Sequence, residues 1–177
     1  MLGDPSDLAE IERVIVRYSL LLDSGNQDLL LGSVFTEDAV LHYDVDDIVG
    51  ASAIRSFYSN RPSGVAGMMH FVSNFSIDVD GDEAISLSYY QAWHWFSQSG
   101  KTDPLGPVTF ASVGCFDDEL VRTSGGWRIR RRTLRPITPG PIGIGEPPSA
   151  IREMFVHRAS QQNLRSPGSP PRAGLPR

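Results

Sequence analysis

The sequence predicts an α+β fold in which N-terminal helices pack on one face of a strongly curved, mostly antiparallel sheet. Three observations carry this. Apolar residues recur at helical spacing as far as Tyr58; the pattern then switches to strand-like alternation from His70 to Leu134; and Asp-Gly and Gly-Gly turn signals divide that second half. Helices segregated before strands are the mark of the α+β class. Predicted strands such as Ala84 to Phe96 exceed usual strand lengths and must twist or bend, so the sheet wraps the helices and leaves a pocket at its open end. The resulting shape is a cone.

Each element follows from local chemistry. Asp7 with Glu10 forms a capping box, and Leu8, Ile11, Val14, Ile15, Tyr18, Leu21 and Leu22 then recur on one helical face up to Gly25, a C′ residue. A shorter helix is predicted over Asp28 to Phe35 and a strand over Ala39 to Tyr43. A third helix, capped near Ser52, has Ile54, Phe57 and Tyr58 as its apolar side. His70 to Val79 and Ala84 to Phe96, joined by Asp80-Gly81-Asp82, read as a hairpin, since Asp-Gly between alternating apolar residues is a strong hairpin signal. A Gly- and Pro-rich loop, Ser97 to Pro107, leads to a strand from Val108 to Val121. Ser124-Gly125-Gly126 then turns the chain into a last strand from Trp127 to Leu134.

With 177 residues, 40% apolar and 21% charged, the chain suits one compact domain. Residues 136–177 hold nine of the 13 prolines and carry five Arg against two Glu, so this segment is +3 and the body before it is −8. The α+β domain is accordingly assigned to residues 1–135, and 136–177 to a Pro/Gly/Arg-rich tail with one short helix from Ser149 to Arg158. An acidic body argues against nucleic acid as a partner. Neither a secretory signal nor a membrane-spanning run is visible, which places the chain in the cytoplasm. The lone Cys115 forbids an internal disulfide. Histidines at 42, 70, 94 and 157 lack the helical spacing that grips a metal, and no glycine-rich phosphate loop or nucleophile elbow occurs, so neither metal nor cofactor is expected.

Acid–base chemistry is what remains. Asp23 ends the first helix, where carbonyls point outward and the helix dipole is negative. A carboxylate there favours a cationic neighbour, and histidine suits that place: an Asp holding one imidazole nitrogen leaves the other oriented as a general base near neutral pH. The plainer reading of Asp23 is a solvated turn. His70 sits where the glycine-containing loop enters the sheet, at the edge of the expected cavity, and is equally readable as a structural histidine. Tyr18 faces the core, where its hydroxyl requires a partner; pocket-facing, it donates to a substrate oxygen. Trp93 and Trp95 share one face of their strand and His94 and Phe96 the other, though parity alone does not say which is inner. Of Arg130, Arg131 and Arg132, at least one points inward and requires a carboxylate or an anionic ligand.

The runs Ile15-Val-Arg-Tyr18-Ser-Leu-Leu-Leu-Asp23-Ser-Gly, Leu31-Gly-Ser-Val-Phe35-Thr-Glu-Asp-Ala39, Gly50-Ala-Ser-Ala-Ile54, His70-Phe-Val-Ser-Asn74, Val79-Asp-Gly-Asp82-Glu-Ala84 and Gly126-Trp-Arg-Ile129 together resemble the SnoaL-like branch of the nuclear transport factor 2-like superfamily, over about residues 8–135. The resemblance implies the cone-shaped fold, a homodimer packed through the sheet, and, as in members similar to scytalone dehydratase and bile acid 7α-dehydratase, a catalytic dyad at Asp23 and His70 with Tyr18 beside it. Tyr43, Asn74, Tyr90, His94 and Arg132 complete the expected substrate-binding set. The second histidine of the scytalone enzyme has no clear counterpart, Tyr90 falling near its place and His94 four residues on.

These residues imply a cofactor-independent lyase of the dehydratase type acting on a small apolar, ring-containing substrate. Two alternatives stand beside it: an isomerase or cyclase of the ketosteroid isomerase or polyketide cyclase type, and a non-catalytic ligand-binding or scaffold domain. The isomerase ranks lower, because the strand position of its base falls near Tyr43 and its second carboxylate has no match.

Overall fold

The computed structural model describes residues 4–43, 46–60, 65–96, 108–137 and 142–144. In chain order these form helices α1 (Pro5–Asp23) and α2 (Gln27–Val34), strands β1 (Phe35–Tyr43) and β2 (Asp46–Val49), helix α3 (Ala51–Ser59), and strands β3 (Val65–Asp80), β4 (Glu83–Phe96), β5 (Val108–Thr123), β6 (Gly126–Pro136) and β7 (Ile142–Ile144).

Helix α1 begins one turn earlier than the capping-box reading places it. Asp4 is the N-cap and accepts from the Ser6 N–H at 2.8 Å, with Pro5 in the first turn, where its missing N–H costs nothing. Asp7 and Glu10 face sideways instead. Asp7 accepts both Arg122 Nη atoms at 2.7 Å and the Trp127 Nε1–H at 3.1 Å, and Glu10 accepts the Trp127 backbone N–H at 3.1 Å, tying α1 to the β5–β6 hairpin. The other end is as expected: Gly25 takes φ +71°, and the N–H groups of Gly25 and Asn26 donate to Leu22 and Leu21 at 3.2 and 3.0 Å, the Schellman arrangement. Helix α3 is not capped by Ser52. Its N-cap is Gly50, at φ +88°, whose N–H donates to the Ala39 carbonyl at 2.8 Å and so fixes α3 to β1.

The strands form one sheet in the order β2-β1-β6-β5-β4-β3, antiparallel throughout except for the parallel β1–β6 pair. Strand β7 pairs with β5 at residues 109–111, where β6 has ended, so the sheet runs on past Arg135. Two elements have no counterpart in the sequence reading, β2 and β7, four and three residues long. The expected helix from Ser149 to Arg158 lies outside the described residues. Register shifts in β3 between Ser73 and Ser76, where Asn74 takes φ +56°, and in β5–β6 at Glu119/Leu120 bend the long strands around the helices.

Alternation then assigns the faces. Ala84, Ser86, Ser88, Tyr90 and Ala92 of β4, and Ser112, Phe116, Asp118 and Leu120 of β5, face the helices and are buried. Against them pack Ile11, Val14, Ile15, Tyr18 and Leu22 of α1, Leu30 and Val34 of α2, Ile54 and Tyr58 of α3, and Trp127 and Ile129 of β6. His94 therefore belongs to the inner face and Trp93 and Trp95 to the outer, which settles the parity that the sequence leaves open.

Candidate active site

Asp23 and His70 meet. Asp23 is the last residue of α1, held by the Schellman turn behind it; His70 lies on the inner face of β3, paired with Ala92. The His70 backbone N–H donates to Asp23 Oδ2 at 2.9 Å, and His70 Nδ1 lies 2.5 Å from Asp23 Oδ1. One carboxylate thus grips the histidine by main chain and side chain together. The contact is sheltered, with side-chain exposures of 8% for His70 and 19% for Asp23. A carboxylate at Nδ1 fixes the tautomer with the proton on Nδ1 and leaves Nε2 as the basic nitrogen. His94, the diagonal cross-strand neighbour, meets His70 edge-on with ring centroids 5.8 Å apart.

Tyr18 lies deeper. Its hydroxyl shares a 2.7 Å hydrogen bond with that of Tyr58 on α3, and both rings are buried. Burial pushes the Tyr18 phenol above its ordinary value, against the opposing pull of Arg132, and pushes Tyr58 well above it, so both remain protonated and act as hydrogen-bond donors rather than bases. Tyr90, raised likewise by burial, stacks on Phe116 with centroids 4.5 Å apart. Arg132 is wholly buried. Its Nε and Nη2 donate to Asp118 at 2.7 and 2.6 Å, and its guanidinium lies 4.1 Å from the centroids of both Tyr18 and Phe116. Burial drives the Asp118 carboxyl up, Arg132 pulling it back; for Arg132 burial works against the charge, and Asp118, with Tyr18 and Tyr58, more than offsets it.

Of the expected substrate-binding positions, His94 neighbours the dyad, and Arg132 is grouped with Tyr18 and, through Phe116, with Tyr90. Tyr43 packs on Phe57 at 5.1 Å at the end of β1. Asn74 stands on the bulge of β3, exposed, past His70 along the strand. Two groups escape the sequence reading. Tyr58 reads there only as part of an apolar helix face, although a tyrosine on such a face needs a hydroxyl partner. Asp118 had a clearer signal: it alternates with Phe116 and Leu120, and an acid in apolar parity implies a buried cation. Surface clefts of about 290 Å³, lined by Ser24, Gly25, Asn26, Asp28, Arg55 and Ser59, and of about 250 Å³, lined by His42, Asp117, Glu119, Arg131 and Thr133, include neither His70 nor Asp23. Among the described residues no group of three or more His, Cys, Asp or Glu is placed to hold a metal ion, and no helix is long and apolar enough to cross a membrane.

Helices followed by a curled, mostly antiparallel sheet define the nuclear transport factor 2-like class of α+β proteins. Within it, the chain belongs to the SnoaL-like domain family, whose model matches residues 5–133. It is 33% identical over 137 residues to the uncharacterized protein Rv2910c of Mycobacterium tuberculosis, covering 72% of this chain and 83% of that one. Among solved structures it is similar to a Novosphingobium aromaticivorans protein provisionally named a scytalone dehydratase, with TM-score 0.67, 24% identity and coverage of 80% of this chain and 90% of that chain. It is also similar to a hexachlorocyclohexane dehydrochlorinase (LinA) type 2, with TM-score 0.66, 13% identity and coverage of 81% and 95%. At these identities the structural likenesses show the shared fold.

Proposed function

We propose that the chain is a cofactor-independent lyase of the dehydratase type in which Asp23 and His70 perform general acid–base catalysis on a small, apolar, ring-containing substrate. The observation that carries the reading is the two-point grip of Asp23 on His70 in a sheltered position. Such a grip has a structural use, but a structural histidine does not need its tautomer fixed by a carboxylate. His70 Nε2 takes a proton from the carbon next to a carbonyl; the electron pair expels a hydroxyl from the neighbouring carbon; the imidazolium returns the proton to the departing oxygen, and water leaves with the enzyme unchanged. The Tyr18–Tyr58 hydroxyls polarise the substrate oxygen. Relatives of the same fold named for dehydration and dehydrochlorination are consistent with elimination, because both remove a proton and an adjacent leaving group.

The test is turnover of a panel of cyclic β-hydroxy ketones followed by mass spectrometry in deuterated water. A product that has lost the elements of water supports the lyase; a product that keeps them and is heavier only by deuterium at the carbon next to the carbonyl points to the isomerase; neither change, with ligand bound, points to a binding protein. We infer further that the partner is a second copy packed through the outer sheet face, where Met69, Phe71 and Tyr89 are 42%, 52% and 47% exposed.

A further inference from the structure

We propose that the outer face of the sheet carries a second binding site, separate from the dyad, in which His42, Arg131 and Thr133 take a small neutral polyol. The inference is independent of the lyase reading. It begins in the register: Asp117 of β5, Thr133 of β6, His42 of β1 and Asp47 of β2 stand side by side in one row across four neighbouring strands. Their chain neighbours Asp118, Arg132 and Leu41 are buried on the inner face, so alternation sends this row outward.

The row has an opening in it. Arg131 is in register with Glu119, yet its Nη2 bonds both oxygens of Asp47, two strands away, at 3.1 Å. By leaning over β1 it leaves the cleft of about 250 Å³ that His42, Asp117, Glu119, Arg131 and Thr133 line. Neighbouring strands lie about 4.8 Å apart, so Asp117 and His42 face each other over roughly 10 Å. The volume is below the about 300–1,000 Å³ of sites for drug-sized ligands, which limits the occupant to one small molecule.

Asp47 also holds the histidine. His42 Nδ1 lies 2.6 Å from Asp47 Oδ1, which keeps the proton on Nδ1 and leaves Nε2 as a hydrogen-bond acceptor, the same arrangement as in the Asp23–His70 pair. His42, and then Arg131, hold the Asp47 carboxyl below its ordinary value, so it stays ionised.

Charge and hydrogen-bonding capacity select the ligand class. Each carboxylate around the cleft has an arginine: Asp47 has Arg131, Asp117 has Arg135 at 2.8 Å, and Glu119 has Arg130 at 3.8 Å. With His42 neutral these fixed charges cancel, and neither an anion nor a cation gains by entering. The lining offers a mixture instead. His42 Nε2 and the carboxylate oxygens accept; Arg131 donates through Nε and Nη1, which Asp47 does not engage; the Thr133 hydroxyl does either. A hydroxyl group is donor and acceptor in one atom, and two adjacent hydroxyls match such a set twice over. No aromatic or aliphatic residue is among the five that line the cleft, so the apolar substrate proposed for the dyad does not suit it. The two faces of the sheet serve different ligands.

The probe is myo-inositol, added to the full-length protein with ¹⁵N-labelled histidine and followed by NMR of the imidazole signals. We expect a saturable shift of the His42 signals at millimolar concentration, with the His70 signals unmoved and the same response in His70→Ala. Thr133→Val keeps the β-branched shape and removes one hydroxyl, so the strand is retained and affinity should fall about tenfold, the value of one hydrogen bond left unmade. In His42→Ala, saturation transfer from protein to inositol should disappear. Acetate and guanidinium at the same concentration should give no saturable shift. Phe71→Glu should bind inositol as the wild type does, because Phe71 stands on β3, three strands from β6. No saturable shift with inositol, an unchanged affinity in Thr133→Val, or a response to acetate or guanidinium as strong as that to inositol overturns the inference. So does loss of the response in Phe71→Glu, which would trace it to a contact between subunits instead of the cleft.

Discussion

Asp23 holds His70 twice, through the backbone N–H at 2.9 Å and through ring Nδ1 at 2.5 Å, so both carboxylate oxygens are committed to one residue. This makes Asp23→Asn a sharp probe. The amide presents one acceptor and one NH2 to two donors, and the NH2 group, wherever it points, repels one of them. The low-strain escape is a switch of tautomer that puts the proton on Nε2 and removes the base. Turnover should fall about 10²–10⁴-fold in Asp23→Asn and further in His70→Ala, with thermal unfolding nearly unchanged in both. Activity within a few-fold of wild type in the two variants would remove the dyad from the mechanism.

Much of this arrangement was legible in the chain. Gly25 announced the end of α1 and hence the place of Asp23; the switch from helical to alternating pattern announced the sheet and put His70 at its entrance. The capping box at Asp7 was misread because Pro5 and Asp4 supply an equally good start, and the tertiary partners Arg122 and Trp127 draw Asp7 and Glu10 away. Strands β2 and β7 were missed for a different reason. Each is held by register with a neighbour, not by its own pattern, and Gly143 in β7 gives no alternation to read. The Arg132–Asp118 pair was half legible, because the bulge that selects Arg132 from three adjacent arginines exists only once β5 and β6 are paired.

The Asp7 cluster sets a pH dependence of stability. Arg122, and then the Trp127 indole N–H, hold the Asp7 carboxyl below its ordinary value in the folded chain. A lowered folded value means that the contribution is complete above the unfolded carboxyl value, about 3.9, and is lost as pH falls through the folded one. Asp7→Asn should therefore lower Tm more at pH 7 than at pH 3. A gap between the two proteins that stays constant or widens on acidification would show that Asp7 contributes by shape alone.

The outer face of β3 and β4 gives a prediction about assembly. Phe71 is 52% exposed and its side chain has no role in the core, so Phe71→Glu should leave Tm within a few degrees of wild type while placing a charge in the middle of the inferred contact. Light scattering should show the wild type at twice the chain mass and the variant at the chain mass. Equal masses for the two would move the interface elsewhere or dispense with it.

Gly114 ties packing to the site. It sits on β5 between Tyr90 of β4 and Pro136 of β6. A Cβ there would lie 2.9 Å from both the Tyr90 ring and Pro136 Cα, and would press on the Arg135 carbonyl oxygen. Two effects compete in Gly114→Ala. Reduced freedom of the unfolded chain favours alanine by about 0.4–1 kcal/mol, but overpacking costs about 1–3 kcal/mol. The second wins, because two of the three obstructing atoms are backbone and yield only if β6 moves off β5. Net destabilisation of about 1–2 kcal/mol lowers Tm by roughly 2–8 °C in a chain of this size. Displacement of Tyr90 also loosens Phe116, on which it stacks at 4.5 Å and which in turn covers the Arg132 guanidinium at 4.1 Å. Gly114→Ala should accordingly lower turnover along with Tm, whereas Phe71→Glu should leave Tm nearly unchanged. An unchanged Tm together with unchanged turnover in Gly114→Ala would mean that the β5–β6 contact yields freely and that Phe116 is not what holds Arg132 in place.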